Sequence, residues 1–190
     1  MNFKNSLKAA VLMMCLAGTA QASVVVGGNA VIGRANTDSF NNFTIVDMNN
    51  AISASTTLTS WSVFTSDTGT LELAIFRLVG AVYNQVGISA LATVTTAGLN
   101  SFATSIAVLA GDFVGVYMQT AHVQFGNIGA GGAGYSNNGS GLSNAFNGPL
   151  SRTYSISVSN NGTAVPEPTT AWLAALALGA AAFGLRSRKA

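Results

Sequence analysis

With 190 residues the chain has room for one domain of ordinary size, and only 7% of its residues are charged, against about 25% in typical soluble domains. Most of its lysines and arginines lie near the two ends, so that residues 23–164 hold three arginines against five carboxylates, a net charge of −2. This middle region has no basic surface that could follow a phosphate backbone, which excludes nucleic acid as a partner.

The N-terminus has the three parts of a secretory signal peptide, in the order that export requires. Lys4 and Lys8 supply the positive start, and Ala9–Ala17 supplies a short apolar core. Ala20 and Ala22 then form a small-x-small cleavage site. We therefore predict a signal peptide over residues 1–22, with the mature chain beginning at the next residue.

The single cysteine, Cys15, lies inside this apolar run. A lipoprotein signal would need a small residue before it, and Met14 is not small. Cleavage after residue 22 leaves a mature protein without cysteine, which excludes disulfides and thiolate metal sites.

Residues 23–159 have the pattern of an all-β domain. Short runs in which apolar residues alternate with Ser and Thr are separated by turn residues, and no run has a sustained helical period. The predicted strands are Val24–Val26, Phe40–Val46, Leu58–Thr65, Leu71–Val79, Ala81–Gly87, Leu91–Thr95, Ser101–Leu109, Phe113–Gln119 and Arg152–Val158. This number of strands predicts an antiparallel β-sandwich.

Two of these runs carry specific expectations. In Arg152–Val158 the alternation places Tyr154, Ile156 and Val158 on one face and polar residues on the other. Leu71–Val79 is richer in apolar residues than the other runs, which predicts a central strand covered on both sides. By contrast, the Gly- and Asn-rich segment Gly126–Gly148 predicts one long loop.

The order of these elements resembles the jelly-roll sandwiches of bacterial surface proteins, including some carbohydrate-binding modules. The segments that carry the resemblance are Trp61, Leu71–Arg77, Ala97–Phe102 and Gly111–Tyr117. The resemblance implies a fold more than a ligand.

The body offers few residues for catalysis. His122 is the only histidine, and no Gly-x-Ser-x-Gly elbow accompanies it, so we place it beside a strand around Val123–Phe125. Gly129–Gly134 matches G-x-G-x-x-G, but Asn and Gly follow it where a dinucleotide site needs a helix. We predict no enzyme, no cofactor and no metal site.

Two weaker binding hypotheses stay open. Asp38 with Asn41, and Asp47 with Asn49, have the hard oxygen ligands that calcium prefers, although Asp and Asn are also common in turns. Aromatic side chains could stack on sugar rings if they were exposed together. The candidates are Trp61, Tyr83, Tyr117, Tyr135 and Tyr154, of which Tyr135 stands out because it lies in the glycine-rich segment.

The C-terminus begins with a linker, residues 160–168, that ends in Val165, Pro166, Glu167 and Pro168. An uncharged run, Thr169–Leu185, follows and is just long enough to predict a transmembrane helix. The basic cluster Arg186, Arg188 and Lys189 lies in residues 186–190 and should stay cytoplasmic, which leaves the body outside.

This order of Pro-Glu-Pro, apolar helix and basic end resembles the PEP-CTERM sorting signal. The resemblance implies that the membrane peptidase exosortase recognises and processes the tail, and that the inner membrane holds the protein only transiently. The rival interpretations are an uncut membrane anchor and a GPI signal, although GPI signals end in apolar residues.

From these observations we expect an exported, non-enzymatic protein of the cell surface or the extracellular matrix, such as a biofilm. The alternative is a module that binds extracellular polysaccharide. The expected partners are exosortase, the membrane and, in the alternative, a polysaccharide.

Overall fold

The structure, a computed structural model, describes residues 23–127, 132–136 and 146–162. The predicted signal peptide, the Pro-Glu-Pro motif, the membrane helix and the basic tail lie outside the described residues. Every regular element within them is a β-strand. The strands are β1 (Ser23–Gly28), β2 (Asn36–Thr37), β3 (Phe43–Asp47), β4 (Thr56–Thr65), β5 (Gly69–Val79), β6 (Val82–Ile88), β7 (Ala92–Val94), β8 (Gly98–Val108), β9 (Phe113–Met118), β10 (Gln124–Asn127), β11 (Ala133–Ser136), β12 (Asn147–Leu150), β13 (Arg152–Tyr154) and β14 (Ile156–Asn161).

The strands form three antiparallel sheets. Sheet I has the order β1-β14-β4-β8. Sheet II has the order β12-β11-β3-β9-β5-β6, with β7 added to β5. Sheet III is the short set β13-β10-β2. The predicted all-β, antiparallel class is confirmed for the described residues.

Sheets I and II contribute side chains to one hydrophobic core. Trp61 of β4 and Ile156 of β14 come from sheet I, and Leu73 of β5 and Val116 of β9 come from sheet II, each at most 1% exposed. A fully buried side chain of this size contributes about 1.5–3 kcal/mol. In β8 burial alternates along the strand, as its sequence predicted.

The second face of sheet II is also covered near its centre. Phe76 of β5 is buried there in a separate cluster with Val46 and Ala74, and Phe113 and Phe146 pack against it. The Phe76 and Phe146 rings meet edge to face with centroids 5.1 Å apart. The prediction of a central strand with both faces covered is therefore confirmed for Leu73–Phe76, whereas Leu78 and Val79 at the end of the strand are 42% and 61% exposed.

The predicted strand Arg152–Val158 is wrong as a single element. The chain passes from sheet III to sheet I at Ser155, between β13 and β14. The Ser155 amide donates to the Gln124 carbonyl at 2.9 Å, and its own carbonyl accepts from the Phe64 amide at 3.0 Å. Because different elements cover its two sides, Thr153, Ser155 and Ser157 are buried rather than facing solvent.

The single long loop predicted over Gly126–Gly148 is also wrong. β10 extends to Asn127, β11 and β12 pair with each other, and β11 adds to β3. Glycine is what permits this packing, since a Cβ on Gly134 would overlap the Met48 and Phe146 side chains. A glycine in a strand thus marks a close approach that alternation of apolar residues does not reveal.

Gly115 of β9 should be intolerant of any side chain. A Cβ there would overlap the Ile45 backbone carbonyl of the paired strand and the ring of Phe76. We expect Gly115→Ala to lower the free energy of unfolding by about 1–3 kcal/mol, as overpacking of a core does, measured by urea denaturation with Trp61 fluorescence as the signal.

Gly126→Ala is the matched control, since Gly126 also lies in a strand. The nearest atom to its added Cβ is a guanidinium nitrogen of Arg34, 3.2 Å away on a flexible side chain. A loss of stability in Gly126→Ala equal to that in Gly115→Ala would show that the close approach at Gly115 is not the cause.

Candidate functional site

A loop between β2 and β3 supplies the first part of a surface cleft. Asn42 ends this loop in the left-handed conformation, with φ of 55°, which Asn tolerates better than most residues. Its amide donates to the Gln119 carbonyl at 3.2 Å, and its side-chain oxygen accepts from the Tyr117 hydroxyl at 2.9 Å. The loop is thereby held to the end of β9, with Phe40 projecting from it 64% exposed.

The floor of the cleft carries a buried ion pair. Arg152 of β13 donates to Asp38 of the loop at 2.6 Å, and the two side chains are 27% and 5% exposed. The Arg152 guanidinium also lies 4.2 Å from the centroid of the Phe125 ring, a cation–π contact. Carboxylate and guanidinium are therefore both held in fixed positions.

The buried Tyr154 contacts both members of the Asp38–Arg152 ion pair. Its hydroxyl donates to the second oxygen of Asp38 and accepts from Arg152 at 3.2 Å. Burial first, and then the Asp38 carboxylate, raise the pKa of this hydroxyl, so it stays a proton donor at neutral pH. Asp38 thus keeps two partners in the protein, each on a different oxygen.

Aromatic side chains form one wall of the cleft. The centroids of Phe40 and Phe43 are 6.2 Å apart, and Phe43 stacks on Tyr135 of β11 at 5.8 Å with 26° between the rings. The cleft has a volume of about 300 Å³. Its lining residues are Asp38, Phe40, Phe43, Tyr135, Leu150 and Arg152. The cleft is therefore the meeting point of three segments. The first is the β2–β3 loop together with β3, the second is β11, and the third runs from β12 to β13.

The sequence identified only part of this wall. Of the five aromatic residues proposed as a sugar platform, Trp61, Tyr117 and Tyr154 are buried, and Tyr83 packs against Phe113 and Phe146 on the far face of sheet II. Tyr135 alone of the five lines the cleft. Phe40 was predicted in a strand, Phe40–Val46, but β3 begins only at Phe43. The polar residues around Phe40, with Asn42 at the turn, were the available signal that it lies in a loop.

His122 lies where the sequence placed it, immediately before β10. Its ring nitrogen Nδ1 is 2.6 Å from an Asp67 oxygen, and its amide donates to the other oxygen at 2.7 Å. The nearby Ser66 hydroxyl donates to the His122 backbone carbonyl and not to its ring. This geometry does not form the nucleophile–base contact of a hydrolase.

The carboxylates proposed for calcium are occupied by protein groups. Asp47 accepts from the Asn49 amide at 2.9 Å, two residues along the chain, and from the Asn29 side chain, and burial raises the pKa of Asp47. Asp38 is held by Arg152 and Tyr154. Within residues 23–127, 132–136 and 146–162, no group of three or more His, Cys, Asp or Glu side chains is gathered as metal ligands.

The glycine motif Gly129–Gly134 leads into a strand. Gly134 belongs to β11, whereas a dinucleotide fingerprint needs a helix whose N-terminus faces the pyrophosphate. This observation agrees with the interpretation of the motif as a feature of glycine-rich sequence.

Comparison with known families identifies the C-terminal segment. Residues 164–189 match the model of the PEP-CTERM protein-sorting motif. The chain carries a PEP-CTERM sorting motif. The predicted resemblance is thus confirmed, and the PEP-CTERM motif implies an exported protein that exosortase processes and that its C-terminal region anchors transiently in a membrane.

No curated protein and no solved structure gives a significant match to the PEP-CTERM chain. Among the residues that the structure describes, none forms a helix of the length and apolar character that crossing a membrane requires. The apolar run Thr169–Leu185 of the PEP-CTERM segment lies outside those residues.

The Tyr154 hydroxyl should be needed for the stability of the cleft floor. We expect Tyr154→Phe to lower the free energy of unfolding by about 1–3 kcal/mol, because Asp38 loses a buried hydrogen-bond donor. Tyr135→Phe is the control, since the Tyr135 hydroxyl has no hydrogen-bond partner among the described residues, and its effect should stay within about 0.5 kcal/mol. Equal losses in the two variants, compared by urea denaturation, would contradict the role given to Tyr154.

Proposed function

We propose that this protein is a non-enzymatic component of the cell surface or the extracellular matrix, released to its destination by exosortase. The PEP-CTERM match at residues 164–189 carries the proposal. In chain order, a body of antiparallel sheets comes first, and we interpret it as a jelly-roll-like sandwich. The linker of residues 160–168 comes next and leads into the sorting motif. A signal peptide at residues 1–22 would start export.

The non-enzymatic assignment is supported by the polar groups of the body. The His122 ring pairs with Asp67, and no serine among the described residues lies at hydrogen-bond distance from it. The buried carboxylates Asp38, Asp47 and Asp112 are each hydrogen-bonded by neighbouring protein groups. Their arrangement suits a structural role better than acid–base catalysis, which needs a group free to exchange a proton with substrate.

The charge distribution of the tail explains how sorting would proceed. A cluster of Arg186, Arg188 and Lys189 keeps the extreme end on the cytoplasmic side. Pro166 and Pro168 come directly before the apolar run, and proline favours an extended backbone in itself and in the residue before it.

The sorting proposal predicts that the Pro-Glu-Pro segment is required for processing. Replacing Pro166 and Glu167 together with Ala should abolish conversion to the mature form in a host that has exosortase, and Thr163→Ala, just before the matched segment, should not. Mass spectrometry of the secreted protein measures both mature ends. Unchanged processing of the double variant, or an untrimmed chain of 190 residues found soluble in the cytosol, would contradict the proposal.

The second candidate function is binding of extracellular polysaccharide. The specific observation in its favour is the cleft wall, where the buried Phe43 supports the exposed Phe40 ring and the half-buried Tyr135 ring. Aromatic rings that are open to solvent can stack on sugar rings. The Phe40 ring is 64% exposed, so most of its apolar surface contacts water. A ligand that covers this surface removes it from water, which contributes favourably to the free energy of binding.

Polysaccharide binding predicts retention of the protein on an immobilised glycan. The full chain, purified in a detergent without sugar headgroups, should be retained on at least one polymer of a panel that includes β-glucan, mannan, galactan and alginate. Retention on beads without glycan is the control. If the protein elutes from every polymer at the same volume as from beads without glycan, polysaccharide binding is excluded. The sorting proposal is unaffected by that result.

A further inference from the structure

We propose that the cleft formed by Phe40, Phe43, Tyr135, Asp38 and Arg152 is the binding site for one uncharged sugar ring of a neutral polysaccharide. This inference rests on the second candidate function, polysaccharide binding, and assigns its site and its ligand class. Three properties of the cleft support it: stacked aromatic rings, a fixed pair of polar groups and a balance of charge.

The aromatic wall matches the apolar face of a pyranose ring. Phe43 is 4% exposed and is anchored in the core, so it fixes the orientation of the stacked Tyr135 ring. Phe40 lies 6.2 Å from Phe43 at the outer side of the cleft and is largely open to solvent. A sugar placed against this wall would cover apolar surface that the fold itself leaves exposed.

Asp38 and Arg152 supply the polar part of the site. A sugar hydroxyl both donates and accepts hydrogen bonds, and this pair presents an acceptor beside a donor. Each Asp38 oxygen already accepts one bond from the protein, from Arg152 or from Tyr154, and retains a second lone pair. The Arg152 guanidinium has five N–H donors, and among the described residues its hydrogen bonds run from one terminal nitrogen, to Asp38 and to Tyr154. Because the Arg152 side chain is 27% exposed and that of Asp38 only 5%, Arg152 is the main contact for a sugar hydroxyl, which can bind there without displacing the ion pair.

The charge balance selects against an anionic glycan. Arg152 is neutralised by Asp38 within the cleft. Elsewhere in the body Arg77 binds both oxygens of Asp112, at 2.7 and 2.9 Å. With Arg34 as its third arginine against five carboxylates, the body is net negative. The negative body would repel a polyuronate, and the cleft offers it no unpaired arginine as a counter-charge. A neutral sugar is not repelled and needs no counter-charge.

The size of the cleft suits a single ring. Its volume of about 300 Å³ is at the low end of the range for small-ligand sites, roughly 300–1,000 Å³. Because the cleft lies at the surface, neighbouring rings of the same polymer can continue into solvent on either side. The ligand is thus one residue of a chain rather than a buried free sugar.

The test uses four variants of the full chain, in detergent without sugar headgroups, on the immobilised glycan panel. Phe40→Ala removes the exposed ring, and Leu99→Ala is its matched control, because Leu99 is also 64% exposed and lies outside the cleft. Tyr135→Ala removes the stacked ring, and Tyr135→Phe keeps it. Thermal unfolding of each variant, compared with the original chain, shows that any loss of binding is not a loss of fold.

We expect the protein to be retained on a neutral glycan, and we expect this retention to persist when the buffer contains about 0.5 M salt. Salt screens ion pairs, and none forms with an uncharged ligand. Phe40→Ala and Tyr135→Ala should weaken binding about tenfold or more, as truncation of an aromatic anchor commonly does. Tyr135→Phe, which keeps the ring, should recover most of the binding that Tyr135→Ala loses, and Leu99→Ala should bind as the original chain does. Normal binding by Phe40→Ala and by a folded Tyr135→Ala would overturn the site while leaving polysaccharide binding in place.

Two other results would overturn the inference in different ways. Retention on alginate alone, with elution by salt, would show that the ligand is anionic and that the assigned ligand class is wrong. Elution from all glycans would remove both the inference and the second candidate function.

Discussion

The candidate site depends on one buried hydroxyl. Tyr154 is fully buried, so its hydroxyl must find a partner inside the protein, and Asp38 is that partner. The buried carboxylate in turn requires a cation, which Arg152 supplies from two residues before Tyr154. This chain of requirements fixes the loop that carries Asp38 and Phe40 against β13, more than a hundred residues away in sequence.

The same segment also connects the three sheets. β13 pairs with β10 in sheet III, β14 pairs with β1 and β4 in sheet I, and the carbonyl of Tyr154 accepts from the Asn29 side chain at 3.1 Å. Asn29 also binds Asp47 at the end of β3 in sheet II. Asn29, Asp47 and the Tyr154 carbonyl thus satisfy one another at the junction of the sheets, which makes their relative positions mutually dependent.

The low charge of the chain limits how it can recognise a ligand. A body with three arginines, two of them in ion pairs with carboxylates, has little capacity for electrostatic recognition. Recognition must then come from apolar surface and hydrogen bonds, and the stacked rings beside the Asp38–Arg152 pair combine both. The PEP-CTERM motif implies that such a body is exported.

The sequence by itself determined the sorting motif, the all-β class and most strand positions. These features depend on local order: charge beside apolar runs, prolines around a glutamate, and apolar residues alternating at the period of a strand. It also indicated Tyr135, because an aromatic residue in a glycine-rich segment is unusual. Only the tertiary structure decided that Arg152–Val158 divides between two sheets, that Gly134 lies in a strand and that Phe40 shares a cleft with Arg152. Those facts depend on contacts between distant segments and on which surfaces neighbouring elements cover, and alternation along a single strand carries no information about either.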